Sequence, residues 1–265
     1  MKRHRGRQSR GAPDSSAAAS PWVVGVHPVA ALLVRAPERV IELVFADTRH
    51  DARMAALVAD GEAAGVAIRT MAADALQALA DGAAHQGVAA RVSPVVPLDE
   101  SALLDHVDAL TGPPLLLVLD GVQDPRNLGA CLRVADGAGV NVVVVPARRA
   151  APLTTAAVKA ASGAAALMPI ARVTNLARTL RALSDRDIRL VGTSGEATTS
   201  LYAADLSGPL ALVMGGEAGG LRRLTGECCD LMVALPMRGV AESLNVSVAT
   251  GICLYEALRQ RGTVA

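Results

Sequence analysis

The sequence predicts an α/β protein built on a mostly parallel sheet covered on both faces. Three observations carry this. Short runs rich in Val, Leu and Ile, each of buried-strand length, recur along the chain and alternate with longer segments of helical apolar spacing. The runs are apolar on successive residues, as strands buried on both sides are. With 51% hydrophobic content over 265 residues, the chain can bury one large core or two smaller ones.

The first series lies within residues 22–94. Val40-Ile-Glu-Leu-Val-Phe45 reads as a strand, 54–64 as a helix, Val66-Ala-Ile-Arg69 as a strand, 73–79 as a helix and Gly87-Val-Ala-Ala-Arg-Val92 as a strand. Ser93-Pro-Val-Val-Pro97, followed by Asp99 and Glu100, opens a linker with room for a short helix before Thr111-Gly-Pro-Pro114. A second series then begins with the strand Leu115-Leu-Leu-Val-Leu119 and a helix from about Asn127 to Gly137. It continues with a strand over 141–145, a helix over 153–162, a strand near 167–171, a helix over 175–183 and a strand over 188–193.

Two further apolar runs, 209–213 and 231–235, each stop at a segment that reads as a ligand-binding turn. The first is Met214-Gly-Gly-Glu-Ala-Gly-Gly220, whose glycines permit positive φ and close approach to a ligand. The second is Ser243-Leu-Asn-Val-Ser-Val-Ala-Thr-Gly251, which runs into a helix that Ser243 or Asn245 could cap. A third segment, Asp120-Gly-Val-Gln-Asp-Pro-Arg-Asn127 with Leu-Gly-Ala-Cys-Leu-Arg133, follows the strand 115–119. There Asn127 is placed as a cap, and Gly129 lies one turn before Arg133, so an anion could approach beside the guanidinium. The same spacing fits an ordinary cap and a surface salt-bridge arginine. In a parallel sheet, loops at the carboxyl ends of strands converge on one crevice.

Composition narrows the function. Met214–Gly220 lacks both the three-glycine dinucleotide fingerprint and the Lys-Ser/Thr of a phosphate-binding loop, which argues against nucleotide hydrolysis. Four aromatic residues are too few for a platform that stacks single-stranded bases. No run of about eighteen apolar residues suggests a membrane span, and residues 1–20 lack a signal peptide's apolar stretch. Cys131, Cys228, Cys229 and Cys253 and the five histidines show no metal-ligand spacing, so no metal is expected, and reduced thiols point to the cytoplasm. The first twenty residues carry five Lys or Arg against one acid, a net +4, which leaves −3 for the rest of a chain of net charge +1. That tail is expected to be disordered and either to add nonspecific RNA affinity or simply to solubilise.

Taken together and in this order, Asn127-Leu-Gly-Ala…Arg133, Met214-Gly-x-Glu217-x-x-Gly220 with Leu221, and Ser243 to Gly251 resemble the three motifs of the SpoU/TrmH group of SPOUT RNA 2′-O-methyltransferases. Gly25-Val-His-Pro-Val-Ala30 and His85-Gln-Gly-Val88 resemble N-terminal signature segments of the bacterial subgroup that methylates a guanosine ribose in 23S ribosomal RNA. The resemblance spans roughly residues 22–262. It implies a small N-terminal substrate-binding domain similar to ribosomal protein L30e over 21–95, a linker over 96–112, and a catalytic domain over 113–265 with a trefoil-knotted SPOUT fold; the basic tail is 1–20. It also implies a homodimer, with S-adenosylmethionine held in the knotted loops and an active site built from both subunits.

By the same resemblance Gly215, Leu235 and Leu244 fall on cofactor-contacting positions, and Asn127, Arg133, Glu217, Ser243 and Asn245 on catalytic ones. The family proposal makes Arg133 the base. A guanidinium keeps its proton up to a pH of about 12, so an electrostatic role for Arg133 fits its chemistry better. Arg238, Glu242 and the Cys228-Cys229 pair depart from the pattern. A transfer-RNA methyltransferase and a non-catalytic RNA-binding assembly factor on the same fold remain the alternatives.

Overall fold

A computed structural model describes residues 21–49, 51–217 and 219–262, so the tail 1–20 lies outside the described residues. The first unit contains β1 (Trp22–Val24), α1 (Val26–Arg35), β2 (Val40–Ala46), α2 (Ala52–Ala63), β3 (Ala67–Met71), α3 (Ala73–Leu79) and β4 (Val88–Val92). Its sheet has the order β1-β4-β2-β3, with β4 antiparallel to both its neighbours and β2 parallel to β3. β1 and α1 precede the first element that the sequence pattern predicts. Val26, Val29, Leu32 and Leu33 form the buried face of α1, but Pro28 and Gly25 interrupt the local signal.

The second unit follows α4 (Glu100–Asp108). It comprises β5 (Leu115–Asp120), α5 (Pro125–Gly137), β6 (Val142–Pro146), α6 (Thr155–Ala160), α7 (Ala164–Leu167), β7 (Ile170–Val173), α8 (Leu176–Ser184), β8 (Arg189–Thr193), β9 (Thr199–Ser200), β10 (Leu210–Gly215), α9 (Arg223–Gly226), β11 (Leu231–Ala234) and α10 (Val246–Gln260). All six strand pairings in its seven-stranded sheet are parallel, in the order β7-β6-β5-β10-β8-β11-β9.

Side-chain alternation explains why these strands read as unbroken apolar runs. Leu115, Leu117 and Leu119 of β5 join the core beneath α5 and α10, whereas Leu116 and Val118 join the core beneath α4 and α8. β6 and β10 divide in the same way, Val143 and Met214 facing one layer and Val144 and Val213 the other. The strand order creates the crevice. From β5 the chain builds outward through β6 to β7, returns to place β8 one strand away from β5, and later fills that gap with β10. The order therefore reverses at the β5/β10 junction, where a doubly covered parallel sheet opens a ligand crevice at its carboxyl edge.

Three local readings need correction. α5 begins at Pro125 and is capped by Asp124, whose Oδ1 accepts from the Arg126 amide at 2.6 Å, so Asn127 is not the cap. Proline at the first helical position needs no amide partner, which moves the helix start upstream. The helix expected over 153–162 breaks at Ser162 and Gly163, both with positive φ, and resumes as α7. That pushes the next strand to 170–173. Gly129 does not open a space beside Arg133. A Cβ there would drive into the Ala157 carbonyl and lie 2.7 Å from the Ala160 methyl, so the glycine lets α5 and α6 pack at backbone distance. Gly129→Ala is expected to cost about 1–3 kcal/mol through overpacking; a urea midpoint equal to wild type would contradict this.

The two units touch directly. Ala166 and Leu167 of α7 pack into the apolar core of the first unit, beside Leu32 and Phe45. Arg39 donates to the carbonyls of Ser93, at 2.9 Å, and of Ala166. The half-exposed Arg35–Asp136 pair at 2.8 Å adds little, since such pairs contribute about 0–1 kcal/mol. The apolar contact therefore dominates the docking.

Helix α10 is anchored by Glu256. Its buried carboxylate accepts from Arg259 at 2.8 and 2.9 Å and from Gln260 at 2.8 Å, while Gln260 also donates to the Ala204 carbonyl and accepts from the Leu206 amide. Arg259 first, then Gln260, holds the Glu256 carboxyl down at about 2. A carboxyl depressed by folding contributes stability that is complete above its unfolded value near 4.5 and is lost as pH falls towards the folded value. The stability difference between wild type and Glu256→Gln should therefore be largest above that range and shrink below it, as read by chemical denaturation across pH. A constant difference down to pH near 2 would contradict it.

Candidate active site

β5 and β10 run side by side to their carboxyl ends, with Gly215 in register opposite Asp120. The Gly216 amide then donates to the Asp120 carbonyl at 2.9 Å, and the chain turns so tightly that the Gly220 amide donates back to Gly216 at 3.1 Å. A Cβ on Gly215 would strike the backbone of Gly220 and Leu221, and one on Gly216 the carbonyl of Gly121. These two glycines are required by backbone contact. Gly220, with φ +64, is required by conformation.

The turn is tied down from below by Asp120, which sequence reading passed over. This residue is 1% exposed, and its carboxylate accepts from the Arg222 amide at 3.1 Å, from Arg222 Nε at 2.6 Å and from Nη2. An acid closing an otherwise apolar strand was the available signal, because a buried carboxylate needs a partner.

Three of the five expected catalytic residues meet at the mouth of the crevice. Asn127, in the first turn of α5, donates through Nδ2 to Glu217 in the glycine turn. Asn245 donates to Asn127 Oδ1 at 3.0 Å. The Asn245 carbonyl oxygen caps α10, accepting from the Ser247 amide at 2.9 Å and hydroxyl at 2.6 Å. Asn245 is thus the cap, and Ser243 is not. One residue from each sequence motif enters a single hydrogen-bonded chain, aimed by the starts of two helices.

Ser243 and Arg133 stand outside that chain. Ser243 is exposed in the loop before α10, with no hydrogen bond among the described residues. Arg133 is exposed on α5, six residues beyond Asn127, which places it about 9 Å along the axis and roughly 120° around it. It forms no ion pair among the described residues, contrary to the salt-bridge alternative. Gly215 borders the crevice at the end of β10; Leu235 is half-buried against the α5/α10 core, and Leu244 is 37% exposed. Small residues at backbone contact, flanking leucines and unengaged polar groups suit a ligand with an apolar ring and a polar tail.

The other chemical groups do not compete for this role. Burial pushes the Cys131 thiol up to about 11 and those of Cys229 and Cys253 up to about 12, which keeps them protonated and unreactive at neutral pH. Among the described residues, no cluster of three or more His, Cys, Asp or Glu side chains could hold a metal, and no helix is long and apolar enough to cross a membrane.

A parallel sheet whose strand order reverses at β5/β10, with a glycine turn joined through Asn127 to the starts of two helices, has the build of a ligand-binding α/β fold. Residues 114–255 match the SpoU rRNA Methylase family, and 22–97 match the model described as RNA 2'-O ribose methyltransferase substrate binding. The chain belongs to the SpoU rRNA methylase family. It is 52% identical over 242 residues to the Escherichia coli K12 protein named 23S rRNA (guanosine-2'-O-)-methyltransferase RlmB, covering 91% of this chain and 99% of that one. The Photobacterium profundum protein of the same name is 52% identical over 239 residues, covering 90% and 97%. Among solved structures, the SpoU methyltransferase AviRb from Streptomyces viridochromogenes in complex with AdoMet superposes with a TM-score of 0.71 at 25% identity, covering 91% of this chain and 90% of that one.

Proposed function

We propose that this protein methylates the 2′-hydroxyl of a guanosine ribose in 23S ribosomal RNA, using S-adenosylmethionine. The carrying observation is the Glu217–Asn127–Asn245 chain, which joins all three motifs at the sheet's reversal point. Relatives half identical over nearly their whole length, named for this reaction, support the substrate and the nucleoside.

Gly215, Leu235 and Leu244 hold the cofactor, largely through backbone and apolar contact. S-adenosylmethionine supplies an electrophilic methyl on a good leaving group, so the protein's main task is to aim the ribose oxygen in line with it. Asn127 and Asn245, each already fixed by the other, position the ribose, and Ser243 offers a free hydroxyl to substrate or cofactor. Glu217 locks the Asn127 carboxamide so that its orientation is set before substrate arrives. Arg133 grips a substrate phosphate, and its charge stabilises the ribose oxygen as the hydroxyl proton passes to solvent water.

Residues 21–95 serve as the substrate-binding domain and 113–265 as the catalytic domain; the stretch 96–112 links them in sequence, with its helix α4 packed into the catalytic unit's core through Leu103 and Val107. The working form is a homodimer whose contact surface includes the outer face of α10, where Val248 and Tyr255 are each more than half exposed. All four cysteines are free thiols, in keeping with a cytoplasmic enzyme.

The test is transfer of labelled methyl to unmodified 23S rRNA and, separately, to transfer RNA. Label in ribosomal RNA alone is expected. Label confined to transfer RNA would replace the substrate, and none in either would favour a binding factor.

A further inference from the structure

Several arginines of the second unit hold acidic partners: Arg178 with Glu100, Arg186 with Asp108, Arg189 with Asp205, Arg223 with Glu227 and Arg259 with Glu256. Arg126, Arg148, Arg149 and Arg172 are all exposed and make no side-chain hydrogen bond or ion pair among the described residues. Three of them, Arg126, Arg148 and Arg149, follow the carboxyl ends of β5 and β6, and Arg172 lies within the neighbouring strand β7.

Arg126 lies in the first turn of α5, beside Asn127. Arg148 and Arg149 lie in the loop leaving β6, which is laid against the loop leaving β5 by the Ala151 amide donating to the Val122 carbonyl at 2.8 Å. Arg172 is the exposed residue of β7, in register with Val145 of β6. Of the acids around them, Asp124 caps α5, Asp120 is buried against Arg222, and Glu217 accepts from Asn127.

Arg149 also holds φ +61, a left-handed conformation that favours glycine. A strained, unpaired arginine in a loop is a poor choice for stability, and such strain concentrates where function needs it. From this loop, α6 runs to the Lys159–Asp81 ion pair with the first unit.

We propose that Arg126, Arg148 and Arg149 form a phosphate-binding rim that grips the RNA backbone beside the target nucleotide, between the substrate-binding domain and the crevice. This rests on the RNA reading above. Free guanidinium forks match phosphate oxygens in pairs of hydrogen bonds, and each contact displaces counterions, so the rim contributes a salt-dependent grip without reading bases.

The experiment measures binding of the full-length protein to an unmodified 23S rRNA fragment across salt concentrations, with methyl transfer assayed on the same samples. The triple Arg126→Gln, Arg148→Gln, Arg149→Gln variant is expected to lose roughly tenfold or more in RNA affinity and to reduce the log-log salt slope by about two, at about 0.7 per lost contact on single strands. Its affinity for S-adenosylmethionine should stay unchanged, and KM for RNA should rise more than kcat falls. Arg181→Gln removes another exposed, unpaired arginine, on the opposite layer in α8, and should leave the slope alone. Arg149→Gly separates charge from folding, since it should raise the melting temperature while weakening RNA binding.

An unchanged slope and affinity in the triple variant would overturn the rim, as would an equal loss in Arg181→Gln. Wild-type protein that binds with the rim's salt slope yet transfers no methyl would refute the proposed reaction and leave the rim standing.

Discussion

Arg133→Ala is expected to lower methyl transfer by about 10²- to 10³-fold, the loss found when a preorganised group facing a developing oxyanion is removed, while S-adenosylmethionine affinity stays nearly unchanged. The structure makes this a clean substitution. The Arg133 side chain is exposed, makes no hydrogen bond or ion pair among the described residues and stands outside the Glu217–Asn127–Asn245 chain, so its removal disturbs neither fold nor cofactor turn. Single-turnover rates together with calorimetric cofactor binding read the two effects apart. A loss of cofactor affinity that matches the loss of rate would mean that Arg133 shapes the cofactor site instead of acting on the RNA.

The second large effect is on stability and falls on a residue outside the motifs. Arg222→Ala strips the side-chain counter-ion from an Asp120 carboxylate that is 1% exposed, and leaving a buried polar group without its partner costs about 1–3 kcal/mol, more when that group is charged. The reverse substitution is milder. In Asp120→Asn the Arg222 side chain, 41% exposed, can turn to water, and the asparagine can still accept the Arg222 amide. Arg222→Ala should therefore unfold at a clearly lower urea concentration than Asp120→Asn. It should also weaken S-adenosylmethionine binding more, since this pair fastens the turn that holds Gly215 and Glu217. A larger loss for Asp120→Asn would show that the carboxylate acts through something other than Arg222.

These residues also mark where sequence reading stops. The parallel sheet was legible because β5, β6 and β10 present apolar side chains to both layers, and that pattern is local. The order of the strands was not, since nothing within residues 210–215 says that β10 enters between β5 and β8. Asn127, Glu217 and Asn245 could be named as a set only through family resemblance. They bond across sequence separations of 90 and 118 residues, where spacing carries no information.

Gly129 shows the opposite failure, in which a local rule misled. One turn from Arg133, a glycine looks like space for a ligand, yet the missing side chain accommodates Ala157 and Ala160 of the neighbouring helix. Asp124-Pro125 carried the true helix start, and taking Asn127 as the cap hid the fact that its side chain was free to reach Glu217.

The most direct measurement is digestion of 23S rRNA to nucleosides after incubation with the protein and isotopically labelled S-adenosylmethionine, followed by mass analysis. The account predicts label in 2′-O-methylguanosine, lost with Arg133→Ala. Label on a base, or on the ribose of a nucleoside other than guanosine, would contradict it.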